Sequence, residues 1–279
     1  MIVWLASYPK SGNTWVRSII GSLLYSKDGN FNFELLKKIQ QFPEKKFFKD
    51  LIKEFSNFDE IKKNWILAQD KINLENKIKL FKTHQGKYSL GNDNFTNAEN
   101  TLAVIYIVRD PRNLVKSISN HYSLSLDEAS KFLFSTKLVG NGKSWAEKQD
   151  GMYNLLGRWS DHYRSWTRNK SNLLVIKYED LIASPNIVLD KIIIFLKKYL
   201  DFETNKNKNK KILETTSFEN LKKMEDDGQF KENVLNEKKS KVKFFHLGSK
   251  NIWQNTLNDE IIKEIEKSFQ DEMKELGYL

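Results

Sequence analysis

Residues 8–15 decide the fold of this chain, and they read Tyr8-Pro9-Lys10-Ser11-Gly12-Asn13-Thr14-Trp15. They follow the apolar run 2–6 and precede an amphipathic stretch, 16–25, an order that predicts a strand, a tight loop and a helix. Such a loop directs backbone N–H groups and the positive end of a helix dipole at one point, where they stabilise an anion. Gly12 permits close approach of the backbone, and Lys10 adds a mobile positive charge. The segment therefore predicts a phosphate or sulfate cradle.

A second candidate anchor lies in the middle of the chain. The apolar, β-branched run 102–108 predicts a buried strand, and 113–122 has the spacing of a helix. Arg109 ends the strand, and Ser117 lies about two turns into the helix. Ligands of open α/β sheets bind at the carboxyl ends of strands, and arginine matches the geometry of a phosphate. The alternative is a surface Arg109 paired with Asp110.

The cradle departs from the standard nucleotide P-loop because Lys10 precedes Gly12 instead of following the second glycine. It resembles the 5′-phosphosulfate loop of sulfotransferases that use 3′-phosphoadenosine 5′-phosphosulfate (PAPS), which read Y-P-K-S-G-[TN]-T-W. The segment from Val108 to Ser117 is similar to their 3′-phosphate motif. The resemblance implies that Arg109 and Ser117 hold the 3′-phosphate. It also implies a 5′-phosphosulfate site formed by Lys10, Ser11, Gly12, Asn13, Thr14 and Trp15.

The run Lys82-Thr83-His84 follows a short strand pattern and resembles the family's K-T-H-[LF]-P segment. The resemblance implies that His84 is the general base, since histidine is the side chain poised near neutral pH. It further implies that Lys82 and the loop N–H groups stabilise the sulfuryl oxygens, while Lys10 neutralises the departing phosphate. Gln85-Gly86 replace the usual Leu-Pro, a departure that concerns loop shape. For His84 the alternative is an ordinary structural histidine.

The other histidines carry weaker signals. For His121, after the second anchor, a structural role and a role on the acceptor side both stay open. His162 lies among aromatic residues at helical spacing, which predicts packing.

Further motifs of the same family follow in order. Tyr178 lies in a segment that resembles [VI]-x-Y-E-D-[LM], whose tyrosine lies near the adenine, after a predicted strand and turn. Thr216, Ser217 and Phe218 resemble the T-S-F segment, which implies that Phe218 and Trp15 sandwich the adenine. Helix packing after a Ser217 N-cap is the alternative for Phe218 and is compatible with that role.

The last motif is the least faithful to the family. His246, Leu247 and Gly248 stand where the family has Arg-Lys-Gly, so that Gly248 is kept and the cationic pair is missing. Lys243 or Lys250 is a candidate replacement for the lost charge, and lower cofactor affinity is the alternative. An amphipathic helix with an Asn258 N-cap should follow and end at Gly277. A helix over 186–199, with Ser184 as N-cap, is also expected.

Composition narrows the class of protein. The 279 residues favour one domain over 1–279, although their number also permits two. The absence of cysteine excludes disulfides and thiolate zinc sites, and with 4 histidines we expect no metal. No segment has the length or apolarity to span a bilayer or the pattern of a signal peptide, which favours a cytoplasmic protein. The net charge of +10 is compatible with nucleic-acid binding. Much of this charge, however, lies in Lys-rich runs such as the Lys-Asn run 205–211, which is typical of a solvated loop. We therefore expect no nucleic-acid partner.

The sequence thus predicts an α/β fold with three layers, α/β/α, and a mainly parallel central sheet, similar to nucleotide kinases. By resemblance, it is identified as a PAPS-dependent sulfotransferase acting on a hydroxyl or an amine of a small acceptor. Alternatives are a small-molecule kinase, with Mg²⁺ near Asp110-Pro111 or Glu179-Asp180, and a non-catalytic nucleotide- or nucleic-acid-binding scaffold. A homodimer stays open, as does the identity of the acceptor. Segments 31–75 and 124–152 match no motif; glycines around Trp145 in the second predict either a mobile lid or a surface loop.

Overall fold

The computed structural model describes residues 1–140, 152–232, 234–235 and 241–279. Five strands, each parallel to its neighbours, form the central sheet. In spatial order they are β2 (Gln40–Gln41), β3 (Lys79–Thr83), β1 (Ile2–Ser7), β6 (Thr101–Val108) and β9 (Leu173–Lys177). Smaller antiparallel pairs are β4 (Ser89–Leu90) with β5 (Asp93–Asn94), β7 (Lys137–Val139) with β8 (Asn154–Leu156), and β10 (Val234–Leu235) with β11 (Lys241–Val242).

The helices of the described residues cover both faces of this sheet. They are α1 (Asn13–Tyr25), α2 (Phe58–Lys63), α3 (Trp65–Asn73), α4 (Pro111–Tyr122), α5 (Leu126–Phe134), α6 (Trp159–Thr167), α7 (Tyr178–Ala183), α8 (Pro185–Leu196), α9 (Lys206–Thr215), α10 (Phe218–Asp226), α11 (Asp259–Ser268) and α12 (Gln270–Glu275). Short 3₁₀ turns lie at Phe33–Lys38, Lys45–Phe47, Gly248–Lys250 and Trp253–Asn255. None of these helices is long and apolar enough to cross a membrane.

The alternation of side chains along the central strands produces the layers. Trp4 and Tyr106 point into one core, and their neighbours Leu5 and Ile105 point into the other. All four side chains are fully buried, as expected for parallel strands that are covered on both faces. The predicted three-layer fold with a parallel sheet is therefore confirmed.

The register of the strands gathers the candidate site at one edge. Ala6 of β1 lies beside Thr83 of β3, and Ser7 lies beside Ile107 of β6. The cradle loop, His84 and Arg109 consequently leave the sheet side by side, at the edge where open α/β sheets bind ligands.

Two local predictions were wrong. The turn expected after β9 is the helix α7, whose first turn carries Glu179 and Asp180, acidic residues that favour a helix N-terminus. The solvated loop expected over 205–211 lies largely in α9. Asn205 caps α9 by accepting a hydrogen bond from the backbone N–H of Lys208, and Ile212 is fully buried.

Two predicted helices have different ends. Pro185 begins α8 as expected, although its N-cap Ser184 makes no side-chain capping bond, and the helix ends at Leu196 rather than at residue 199. The last amphipathic helix starts with the predicted Asn258 cap but divides at Phe269, whose backbone φ of −123° interrupts it. The chain then leaves α12 through Gly277, with a φ of +70°.

Candidate active site

The cradle has the features of an anion site. Gly12 is the N-cap of α1 with a φ of +100°, and a Cβ there would lie 2.6 Å from Cδ2 of Tyr178. No side chain caps α1, and no described residue accepts from the backbone N–H of Asn13, Thr14 or Trp15. The hydroxyl of Ser11 is fully buried without a hydrogen-bond partner. Because buried donors are normally paired, this group of open donors fits a phosphate or sulfate.

Lys10 lies in the same loop with a φ of +67°, a left-handed conformation that is uncommon for a residue with a side chain. Its Nζ lies 3.7 Å from the centre of the Phe244 ring and 3.5 Å from Nδ1 of His121. Burial, and then the charge of Arg109, lower the pKa of Lys10 to about 7. Burial and the neighbouring positive charges thus outweigh the attraction of Glu225 for the ammonium group.

Arg109 provides the second anchor. The side chain is 5% exposed, and its Nη1 donates to the carbonyl oxygen of Lys10 at 3.2 Å. The guanidinium lies 4.0 Å from the centre of the Tyr178 ring, and its Nε has no hydrogen-bond partner. The predicted alternative, a pair with Asp110, does not form, because Asp110 binds Arg112 through both oxygens. Arg109 therefore keeps a donor available inside the protein.

His84 lies at the end of β3 with a defined tautomer. Its Nδ1 is 2.9 Å from the carbonyl oxygen of Ser7, and a carbonyl oxygen can only accept, so Nδ1 carries the proton. Nε2 then has a free lone pair, and it forms no hydrogen bond with any described residue. Burial, followed by the charge of Lys82, lowers the pKa of His84 to about 3. The imidazole is neutral at pH 7 and able to accept a proton.

His162 holds His84 through the backbone. Its Nε2 donates to the carbonyl oxygen of His84 at 3.0 Å, so its Nδ1 accepts from the hydroxyl of Tyr106 at 2.9 Å. Burial lowers the pKa of His162 to about 4, which keeps the ring neutral. The sequence predicted only packing for this residue, because it does not indicate a hydrogen bond to a residue 78 positions away.

The departure from the family at Gln85 has a structural role. Its Oε1 accepts from the backbone N–H of Leu155 at 2.6 Å, and its Nε2 donates to the carbonyl oxygen of Gly86 at 2.9 Å. Trp166 donates to the carbonyl oxygen of Gln85 at 2.9 Å. These bonds tie the loop that follows His84 to β8 and α6.

Glu232 is a further charged residue that sequence reasoning missed. Its carboxylate lies 2.5 Å from the guanidinium of Arg17 and 3.7 Å from Nζ of Lys82. Arg17 is 2% exposed, so this pair compensates a buried charge. The two residues are 215 positions apart, and no local pattern connects them.

One cavity of about 540 Å³ brings most of the predicted residues together. Three predicted cofactor residues line neither this cavity nor the smaller one beside it: Ser11, Thr216 and Ser217. The hydroxyl of Thr216 donates to the carbonyl oxygen of Ile212 at 2.7 Å, and that of Ser217 caps α10. The predicted residues that line it are Lys10, Gly12, Asn13, Thr14, Trp15, Lys82, His84, Arg109, Ser117, Tyr178 and Phe218.

His121 also lines this cavity, where its Nδ1 lies 3.5 Å from Nζ of Lys10. The rings of Trp15 and Phe218 lie 5.9 Å apart at an angle of 57°, the geometry of two rings in direct contact. A purine held between them, as the sequence predicts, requires that they separate.

A smaller cavity adjoins the first and shares Arg109, Ser117 and Phe218 with it. His246, Leu247 and Gly248 line it as predicted. Gly248 has a φ of +57°, and a Cβ there would lie 2.4 Å from the Phe218 ring, so only glycine fits without rearrangement.

The expected replacements for the missing Arg-Lys pair lie elsewhere. Lys243 forms an ion pair with Asp226, and Lys250 is exposed and lines neither cavity. The predicted lid around Trp145, with Gly142 and Gly151, lies outside the described residues. Its neighbour Gly140 belongs to the cavity wall.

An anion cradle, a buried arginine and a neutral histidine at one sheet edge define a group-transfer site of the P-loop-like α/β class. The family model described as the sulfotransferase domain matches residues 2–277. The chain therefore belongs to the sulfotransferase family.

Individual relatives agree with this membership. The chain is 27% identical over 281 residues to sulfotransferase 2A1 of Macaca fascicularis, covering 98% of this chain and 85% of the relative. It is 26% identical to an amine sulfotransferase of Oryctolagus cuniculus, covering 98% of this chain and 81% of that relative. Two solved structures share the fold. A mouse sulfotransferase in complex with PAP has a TM-score of 0.57 at 21% identity, covering 97% of this chain and 84% of its own. A retinol dehydratase in complex with retinol and PAP has a TM-score of 0.60 at 18% identity, covering 98% of this chain and 81% of its own.

Proposed function

We propose that this chain transfers the sulfuryl group of PAPS to a hydroxyl or an amine of a small acceptor. The observation that carries this proposal is the convergence of an uncapped helix N-terminus, two lysines and a neutral histidine in one cavity. PAP in two solved relatives of the same fold supports the choice of donor. The open donors of the cradle and the free Nε of Arg109 fit a ligand with phosphate groups at two positions.

When bound, PAPS supplies the sulfuryl group, and its bond to the 5′-phosphate breaks as the acceptor oxygen or nitrogen bonds to sulfur. His84 takes the proton of the acceptor on Nε2. The hydrogen bond from Nδ1 to the carbonyl oxygen of Ser7 keeps a proton on Nδ1 and leaves the lone pair of Nε2 free. Lys10 stabilises negative charge on the departing phosphate, and Lys82 and the loop N–H groups at the start of α1 stabilise it on the sulfuryl oxygens. Lys10, Lys82 and His84 line one cavity in the unliganded protein, which supports a preorganised site.

Aromatic side chains line part of the cavity, and the polar part of its wall supports a polar acceptor. Gln41, Glu44, Lys45 and Lys46 line the cavity where the chain leaves β2. Asn154 is buried, and its side-chain oxygen has no hydrogen-bond partner. A large apolar acceptor would desolvate these groups without compensating bonds, whereas a hydroxyl-rich acceptor would replace their water.

The kinase alternative is weaker because Asp110 and Glu179, one acid from each candidate Mg²⁺ site, are engaged in structural bonds. Asp110 accepts three hydrogen bonds from the side chain of Arg112 at 2.7–3.2 Å. Glu179 accepts from the backbone N–H of Asp110 at 3.1 Å and from the hydroxyl of Tyr278 at 2.9 Å. Neither carboxylate lines the large cavity.

A transfer assay tests the proposal. Labelled PAPS is incubated with matched panels of sugars, polyols, phenols, steroid alcohols and amines, and γ-labelled ATP with Mg²⁺ serves as the parallel donor. We expect label to move from PAPS to a polar acceptor and not from ATP. Transfer from ATP alone would contradict the proposal, and transfer only to apolar acceptors would contradict the argument from the cavity wall.

A further inference from the structure

The smaller cavity requires positive charge beyond a single arginine if it is to hold a phosphate dianion. Arg109 supplies one buried guanidinium with an unpaired Nε. His246 and Leu247, in the loop that closes the cavity, supply no fixed charge. A second cation must come from another element of the wall.

Lys116 is that cation among the described residues. It lies on α4 directly before Ser117, is half-buried, and lines the smaller cavity together with Arg109. No carboxylate of the described residues lies within ion-pair distance of its Nζ. Lys243, in contrast, is neutralised by Asp226.

The pKa of His246 agrees with the position of Lys116 in the cavity wall. Burial lowers the pKa of His246, and the next causes are the charges of Lys116 and Lys222. Lys222 points its Nζ at the backbone oxygen of His246 at 3.4 Å and does not line the cavity. Lys116 therefore provides positive charge inside the cavity while His246 is neutral.

We propose that Lys116 acts with Arg109 as the second cation of the 3′-phosphate site and sets the preference for a 3′-phosphorylated nucleotide over a plain 5′-nucleotide. This inference rests on the proposed function, because it assumes that PAPS and PAP are the ligands. It differs from the sequence prediction, which assigned the compensating charge to Lys243 or Lys250.

Binding of two nucleotides to three proteins tests this role. The dissociation constants of PAP and of AMP, which lacks the 3′-phosphate, are measured by titration calorimetry for wild type, Lys116→Gln and Lys250→Gln. Losing one charged hydrogen bond should weaken PAP binding by roughly ten- to a hundredfold. AMP binding should change far less, so the PAP-to-AMP preference should fall in Lys116→Gln and persist in Lys250→Gln. A fourth protein, Lys116→Arg, keeps the positive charge and should therefore keep the preference.

The controls distinguish a wrong role for Lys116 from a wrong donor. Equal melting temperatures of the unliganded proteins establish that Lys116→Gln is folded. If wild type prefers PAP and Lys116→Gln keeps the full preference, or if Lys250→Gln loses as much, the role of Lys116 is wrong while the proposed function stands. If wild type shows no preference for PAP over AMP, the proposed donor itself is wrong.

Discussion

Nδ1 of His84 lies 2.9 Å from the carbonyl oxygen of Ser7, and this contact fixes which nitrogen of the imidazole can act as a base. The two residues end neighbouring parallel strands, so the sheet itself sets their distance. His162 holds the carbonyl oxygen of His84 from the other side. The orientation of the His84 ring is therefore set by the central sheet and by α6.

Replacing His84 with alanine should lower turnover by roughly 10²–10⁴-fold, the usual contribution of a general base. PAP affinity should stay close to wild type, because the proposed role of His84 is toward the acceptor. Turnover is measured with labelled PAPS and PAP affinity by calorimetry, with His121→Ala as a control from the same cavity. Full turnover in His84→Ala would move the base elsewhere, and a joint loss of turnover and PAP binding would make His84 structural.

The pH profile provides a second readout of His84. Its pKa is about 3 without a ligand, and a bound anionic donor should raise that value. The rate should therefore fall with decreasing pH along a limb above pH 3, as the protonated imidazole can no longer accept a proton. His84→Ala should lose this limb.

PAP binding should take up protons near pH 8. The pKa of Lys10 is about 7 in the free protein, and nearby phosphates raise it, so Lys10 gains a proton on binding. The apparent affinity should consequently decrease as pH rises above 7. Calorimetry in two buffers of different ionisation enthalpy measures the uptake, which Lys10→Met should abolish and Lys250→Met should retain. An unchanged uptake in Lys10→Met would assign the proton to another group.

Gly12→Ala should weaken PAP binding and destabilise the fold by about 1–3 kcal/mol. The new Cβ would combine a φ of +100° with a 2.6 Å contact to Tyr178. Gly228→Ala is the matched control, because Gly228 has a φ of +77° with open space around it. Denaturant unfolding and PAP titration of both variants separate backbone strain from the clash. Equal effects in the two variants would show that the contact with Tyr178 is unimportant.

The sequence predicted features that depend on local patterns. The β-branched run 102–108 and the loop 8–15 specify strand, loop and helix through neighbouring residues, and the parallel sheet follows from their order. The helix α9 was missed because its Lys-Asn composition is typical of a loop, whereas burial of Ile212 stabilises it. That burial depends on tertiary contacts, which composition does not contain.

The same distinction holds for the site. Lys10, His84 and Arg109 were found because each lies in a motif at the end of a strand. Two residues that support the site were missed because they come from distant segments. Glu232 forms an ion pair with Arg17, and His162 donates a hydrogen bond to the carbonyl oxygen of His84. Lys116 lines the smaller cavity because of the direction in which its side chain leaves α4. Its sequence context gave no reason to select it.

The choice between PAPS and an ordinary nucleotide is tested most directly by the melting temperature with PAP, AMP and ATP–Mg²⁺ at equal concentrations. A ligand that binds only the native state raises the melting temperature according to its affinity. Two phosphate anchors, at the cradle and at Arg109, predict a shift with PAP well above the shifts with AMP and ATP–Mg²⁺. Equal shifts with PAP and AMP, or a larger shift with ATP–Mg²⁺, would contradict the assignment of this chain as a PAPS-dependent enzyme.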